Sequence, residues 1–401
     1  MRFTYRCWSC GEEYQPSELL YRCSICGHPL EVRQTRRTKP PSSNSIHKRT
    51  ASIWRYHELL PVQPEDRISL GEGYTPVVAS RRVGKETGVR NLFFKNESSN
   101  PTGTFKDRAS SVLVSIARTY GFGRVSIDSS GNAASSLACY AARGRLKCTV
   151  FLPKGTSGSK ITQSELYGAQ SIVVDGDRRE TFEAAERTTT STGNMYCGYL
   201  LNPFPLHGMK TIGFELCEQF DWNPPEFVAF PVGTATGLIG SWLGFEQMLE
   251  MGWVSRLPKL ICVQPEGCAP IARSWKEKTV QSVGQADTVA EGLRITRPTR
   301  LREAVSVIDD SGGRAETVSD RSIMEAGFLL MREEGLLVEP SSAASLAGVL
   351  KLAQKGYIED DERVLCVLTG SGLKTIDVYE TFQRRNHVAI RDTETIRTSS
   401  A

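Results

Sequence analysis

From Leu92 onward the chain alternates short apolar runs with longer stretches in which apolar residues recur every three or four positions. The short runs Asn91–Lys95, Arg124–Asp128, Lys147–Leu152, Ser171–Val174, Phe227–Pro231, Leu260–Val263 and Val364–Leu368 predict strands. The periodic stretches Phe105–Tyr120, Ala133–Arg143, Arg178–Thr190, Thr211–Phe220, Gly237–Met251, Asp320–Glu334 and Ser342–Lys355 predict helices. Regular alternation of the two implies an α/β fold with parallel sheets and helices on both faces. Ligands of such folds sit beyond the carboxyl ends of strands, near helix N-termini.

The first fifty residues do not follow this pattern. Residues Arg33–Arg49 show no apolar periodicity and carry Pro40, Pro41 and several serines, so 33–52 reads as a linker. Ahead of it stands Cys7-x2-Cys10-x12-Cys23-x2-Cys26, with Gly11 and Gly27 directly after each pair. Two such pairs suit tetrahedral zinc in two tight turns, and an all-cysteine set leaves no open position, so 1–32 is expected to be a structural zinc ribbon. A redox or disulfide set is the weaker alternative, because no secretory signal precedes it. A segment this small cannot build an adequate core alone, so the metal is expected to supply folding energy to an appended module. The other seven of the 11 cysteines are scattered in apolar surroundings and read as buried, reduced packing residues.

Composition narrows the class without deciding it. A chain of 401 residues has room for two or three domains, and 39% hydrophobic with 23% charged residues is ordinary for a soluble protein. The net charge of +4 points to no nucleic acid, and the basic run Arg33–Lys39 reads as solvated linker. No apolar run reaches membrane-spanning length and no signal-peptide core follows Met1, so a cytoplasmic location is expected.

The chemistry concentrates at strand-to-helix turns. Asn100-Pro-Thr-Gly-Thr-Phe-Lys-Asp-Arg108 places Lys106 at a helix start, where its amine can face a site and act as a Schiff-base lysine. Ser129-Ser130-Gly131-Asn132-Ala133 can present backbone N–H groups to a carboxylate, with the Asn132 amide beside them. Gly233-Thr234-Ala235-Thr236-Gly237 makes a phosphate cradle that matches neither the dinucleotide nor the ATP-loop pattern. Thr369, in Thr369-Gly-Ser-Gly-Leu-Lys374, can offer a neutral hydroxyl to a heterocyclic nitrogen. Each turn taken singly is equally a helix cap or a glycine turn.

Together and in this order, these turns resemble the pyridoxal-phosphate enzymes of fold type II, the tryptophan-synthase-β-like fold, and most closely the threonine synthase family. The resemblance extends through Ile53–Pro61, Leu70–Pro76, Asn202-Pro203 with Lys210–Ile212, Arg256–Leu260 and Glu339–Ser345. It implies a large cofactor domain from 53–103 and 201–385, a small inserted domain at 104–200 and a flexible tail at 386–401. It further implies that Lys106 holds pyridoxal 5'-phosphate and shuttles protons. Asn132 then faces the ring oxygen, Gly233–Gly237 hold the phosphate and Thr369 meets the ring nitrogen. Ser129, Ser130, Gly131, Ala133 and Tyr199 are the expected substrate contacts, and relatives commonly form homodimers. The reaction implied is conversion of O-phosphohomoserine and water to threonine and phosphate, a carbon–oxygen lyase activity on a small amino acid.

The resemblance departs at the substrate's own phosphate. An Asn-Ser pair of the family pattern is here Tyr199-Leu200, and an arginine is Pro205. Ala133, Thr234 and Ser371 stand where the family has Thr, Asn and His. A dianion needs polar partners, so Arg108, His207 or Lys210 are expected to replace the lost set. Alternatively the enzyme runs β-elimination or a β- or γ-replacement on another amino acid, or the fold serves a non-catalytic binding role.

Overall fold

The computed structural model describes residues 3–34, 43–156, 158–176, 178–281, 283–284 and 286–384. The expected tail at 386–401 and residues 35–42 of the expected linker lie outside them. Among the described residues the chain forms three sheets.

The largest sheet has six strands in the order Arg314–Val318, Lys259–Pro265, Phe227–Pro231, Val364–Leu368, Leu92–Asn96 and Val77–Ala79. All neighbours run parallel except the last pair. The two middle strands, Phe-Val-Ala-Phe-Pro and Val-Leu-Cys-Val-Leu, are buried at every position. Such unbroken apolar runs belong to strands covered on both faces. The helices Thr236–Glu250, Asp320–Glu334 and Pro340–Gln354 each follow or lead into one of these strands.

A second, four-stranded parallel sheet comes wholly from residues 124–196, in the order Gln170–Val174, Lys147–Pro153, Arg124–Ile127 and Met195–Tyr196. The helix Lys106–Thr119 joins the two layers, packing on both the Asn132–Gly144 and the Pro205–Gln219 helices. Its charged residue Arg108 is fully buried and bonds Glu97 Oε2 at 2.7 Å and Glu215 Oε1 at 2.5 Å, while Lys95 Nζ bonds Glu215 Oε2 at 2.7 Å. Opposed charges and the Thr75 and Thr211 hydroxyls satisfy this network without water.

The third sheet is the N-terminal ribbon, with Phe3–Cys7 between Glu13–Tyr14 and Leu30–Gln34, antiparallel throughout. It is not a separate appendage with its own small core. Phe3, Tyr5, Leu30 and Val32 belong to the same buried cluster as Val112, Phe204 and Trp242 of the body. Within the expected linker, the last strand runs on to Gln34 and a short helix occupies Ser43–His47. The seven scattered cysteines are all buried and unbridged. No described helix is long and apolar enough to cross a membrane.

Candidate active site

Lys106, Ser129–Ala133, Tyr199, Gly233–Gly237 and Thr369 all line one cavity of about 760 Å³. The cavity lies where the strands of both parallel sheets end and their helices begin, as a doubly wound fold dictates.

Lys106 is the first residue of its helix. Two features fix its turn to the strand end at Thr369. The Phe105 N–H donates to the Thr369 carbonyl at 3.0 Å, and the Ser371 N–H donates to the Gly103 carbonyl at 2.9 Å. Gly103 has φ +75°, a left-handed conformation that favours glycine. The Lys106 amine lies between two ring faces, 4.5 Å from the Phe105 centroid and 4.4 Å from that of Tyr199. These rings shield it from water on two sides. Next to it, burial raises the Asp107 carboxyl to about 6, although Thr102 and Ser136 donate hydrogen bonds to it.

The Gly233–Gly237 turn opens the Thr236–Glu250 helix. Ala235 adopts φ +66°, unusual for a residue with a Cβ, at the N-cap of that helix. A Cβ at Gly233 would stand 2.9 Å from the Gly292 carbonyl oxygen, and one at Gly237 would stand 3.1 Å from the Phe105 ring. A side chain at Gly233 would therefore force the backbone apart, and one at Gly237 would press on the Phe105 ring. Opposite, the Thr369 hydroxyl shares a hydrogen bond with Ser342 Oγ at 3.0 Å. An amine, an amide, a neutral hydroxyl and a glycine-lined helix N-terminus around one cavity fit pyridoxal phosphate.

Two neighbours of Asn132 were not foreseen. Its Nδ2 donates to both carboxylate oxygens of Glu339, at 3.0 and 2.8 Å, and its Oδ1 accepts from Lys374 Nζ at 3.0 Å. The amide is thus oriented by opposite charges from the large-sheet side. Gly370 makes room for this arrangement, since a Cβ there would lie 2.5 Å from Glu339 Oε2. Both residues sit in stretches already noted for resemblance, and a charge beside a glycine turn at a strand end was the available signal.

The expected replacement set for the substrate phosphate is corrected. Arg108, His207 and Lys210 do not line the cavity. Arg108 is committed to Glu97 and Glu215. His207 Nε2 bonds the Val32 carbonyl at 3.1 Å, and Lys210 Nζ donates to Gln247 Oε1 at 3.2 Å. Both are buried, which pushes His207 well below its usual range and Lys210 down to about 7. The cations that do line the cavity are Lys106, Lys154, Arg294 and Lys374. Lys154 is exposed and pairs with Asp175 at 3.1 Å, whereas Lys374 is half-buried at the Asn132 amide.

In the ribbon, the sulfurs of Cys7, Cys10, Cys23 and Cys26 lie within 4.8 Å of one another. Cys7–Cys26, Cys10–Cys23 and Cys10–Cys26 are separated by 3.4, 3.5 and 3.7 Å. A tetrahedron of Zn–S bonds near 2.3 Å has edges of about 3.8 Å. The donor set and its spacing therefore fit one such ion.

A family model described as pyridoxal-phosphate dependent enzyme matches residues 68–370. Solved structures share the fold. Maize serine racemase superposes with a TM-score of 0.70 at 21% identity, covering 85% of this chain and 99% of that one. The processed form of threonine deaminase isoform 2 from Solanum lycopersicum reaches 0.65 at 20%, covering 90% and 96%. Curated relatives are closer in sequence. The threonine synthase of Methanocaldococcus jannaschii is 39% identical over 378 residues, 93% of each chain. That of Methanosarcina acetivorans is 36% identical over 382 residues, 94% of each. The chain belongs to the pyridoxal-phosphate dependent enzymes of fold type II and, within them, to the threonine synthase family.

Proposed function

We propose that this protein is a threonine synthase, converting O-phosphohomoserine and water to threonine and phosphate. The observation that carries the reading is the single cavity uniting Lys106, Asn132, the Gly233–Gly237 cradle and Thr369. Pyridoxal phosphate supplies an aldehyde for the substrate amine and a sink for electrons released at Cα. The chain's residues do the rest. N–H groups of Ser129–Asn132 at a helix start hold the substrate carboxylate. Gly233–Gly237 hold the cofactor phosphate, and Thr369 faces the ring nitrogen with a hydroxyl that leaves it unprotonated. The Lys106 amine takes protons from Cα and Cβ and returns protons to Cγ and Cα. Phe105 and Tyr199 keep bulk water from that amine while phosphate leaves Cγ and one water adds at Cβ. Lys374 is the best-placed cation for an anionic substrate group. The four ribbon thiolates hold one structural zinc ion.

The test is a phosphate-release and amino-acid assay on the purified holoenzyme with O-phosphohomoserine. Threonine with stoichiometric phosphate supports the reading. Cofactor absorbance without turnover overturns it in favour of β-elimination or β- or γ-replacement on another amino acid. One feature favours that second reading: Tyr199 and Leu200 give the wall beside Lys106 an aromatic and an aliphatic side chain, with no cation.

A further inference from the structure

The Met195–Tyr196 strand is the weak point of the site's scaffold. It is two residues long, stands at the edge of its sheet and, among the described residues, pairs only with Arg124–Ile127. An edge strand leaves backbone groups without partners on its outer side. Here the ribbon supplies one. The Tyr196 N–H donates to the Tyr21 hydroxyl at 3.0 Å, and the two rings meet edge to face at 6.0 Å. On its inner side the Tyr196 hydroxyl donates to Asp128 Oδ1 at 2.6 Å. Asp128 lines the cavity and directly precedes Ser129. Gly198 is packed onto this pair so tightly that a Cβ would lie 1.9 Å from the Tyr196 hydroxyl. Asn202 closes the segment, its Nδ2 donating to the Tyr196 carbonyl at 2.7 Å. Tyr199, with its ring beside the Lys106 amine, lies inside that closed segment.

We infer that Tyr21 of the cysteine ribbon is a positioning residue for the active-site wall. It holds Tyr196, and through Tyr196 it sets both Asp128 at the root of the Ser129–Asn132 turn and Tyr199 over the amine. The ribbon's role is then more than a stabilising cap: the state of an N-terminal module is transmitted to the substrate end of the cavity. The cofactor cradle, built on the Phe227–Pro231 strand, lies outside this path.

The test compares holoenzyme Tyr21→Phe, which keeps the ring and removes the oxygen, with the parent chain. Amide hydrogen exchange across 195–204 is expected to quicken roughly fivefold or more, with no change in the Gly233–Gly237 segment. KM for O-phosphohomoserine rises several-fold while kcat and the cofactor's absorbance hold, and Tyr196→Phe reproduces the KM effect with the ribbon amide bond intact. In the double variant the two effects on KM fall short of their product. Unchanged exchange, or a lowered Tm with exchange and KM untouched, overturns the inference and leaves a plain cap. Should the parent chain not turn over O-phosphohomoserine, the exchange measurement still decides this point, so failure of the substrate assignment is distinguishable from failure of this one.

Discussion

Lys106 and Lys210 show how differently two lysines of one chain are used. Lys106 opens onto the cavity between two rings; Lys210 is sealed between helices. Lys106→Ala is expected to remove the cofactor's bound absorbance and to cut turnover by about 10²–10⁴-fold or more, while circular dichroism shows the fold intact. Lys210→Met is expected to leave KM unchanged and to act on stability. Burial lowers the Lys210 ammonium from 10.5 to about 7, so the folded state resists the charged form. Between those two values the unfolded chain binds more protons, and stability rises with pH. The methionine variant should therefore be more stable to denaturant at pH 6–7, by on the order of a few kcal/mol, with the gain fading toward pH 10. A gain that grows with pH would contradict this. In the sequence Lys210 reads as a candidate partner for the substrate phosphate, because a charged residue's burial depends on partners remote along the chain. Glu339 and Lys374 escaped notice for the same reason: 207 and 242 positions separate them from Asn132.

Among elements, the long periodic and continuously apolar segments were readable. Phe227–Pro231, Val364–Leu368 and Asp320–Glu334 appear with the expected bounds. What escaped were short or polar pieces, among them the strands Val77–Ala79, Met195–Tyr196 and Arg314–Val318 and the helices Val83–Thr87, Gly158–Leu166, Pro270–Glu277 and Leu301–Asp310. Two- and three-residue strands carry no periodicity, and Arg-Ala-Glu-Thr-Val becomes a strand by lying beside Lys259–Pro265. The helix expected from Thr211 starts at Pro205, whose fixed φ suits a first turn, a signal present in the sequence and passed over. The cradle turn yields an element-scale prediction. In Gly233→Ala the new methyl meets the Gly292 carbonyl oxygen, which must shift. Affinity for pyridoxal phosphate, measured by titrating the cofactor-free protein, should fall about tenfold or more. Ala235→Gly, by contrast, relieves a left-handed residue and should gain about 1 kcal/mol in denaturant unfolding with the cofactor affinity kept.

At the scale of the whole molecule, the buried charges hold layers together. Arg108, Lys95, Glu97, Glu215 and Thr75 join the large sheet to the helices that present Lys106 and carry Lys210. Burial works against the Glu215 charge, but Arg108 and Lys95 outweigh it and hold the carboxyl down at about 2. Its contribution is therefore complete above the ordinary carboxylate range and is lost as pH falls through about 2. Glu215→Gln removes the charge, strands the Lys95 ammonium and leaves Arg108 with Glu97 as its carboxylate partner. It should destabilise the protein by roughly 3–5 kcal/mol in urea unfolding at pH 7, far beyond the effect of exposed pairs such as Arg321–Glu325. An effect below about 1 kcal/mol would mean water enters the network.

The ribbon's docking also sets an order of events in synthesis. Its cysteines leave the ribosome ahead of the body, and the groups that seat it come much later: Tyr120, Tyr196, Phe204, His207, Arg300 and Glu303. At about 5–20 residues per second, Glu303 follows Cys26 by roughly 15–60 s. Through that interval the four thiols have no body to lie against. Metal capture on the nascent chain would bring them together early, so that a finished clasp, and not a loose strand, is what the completed enzyme closes upon.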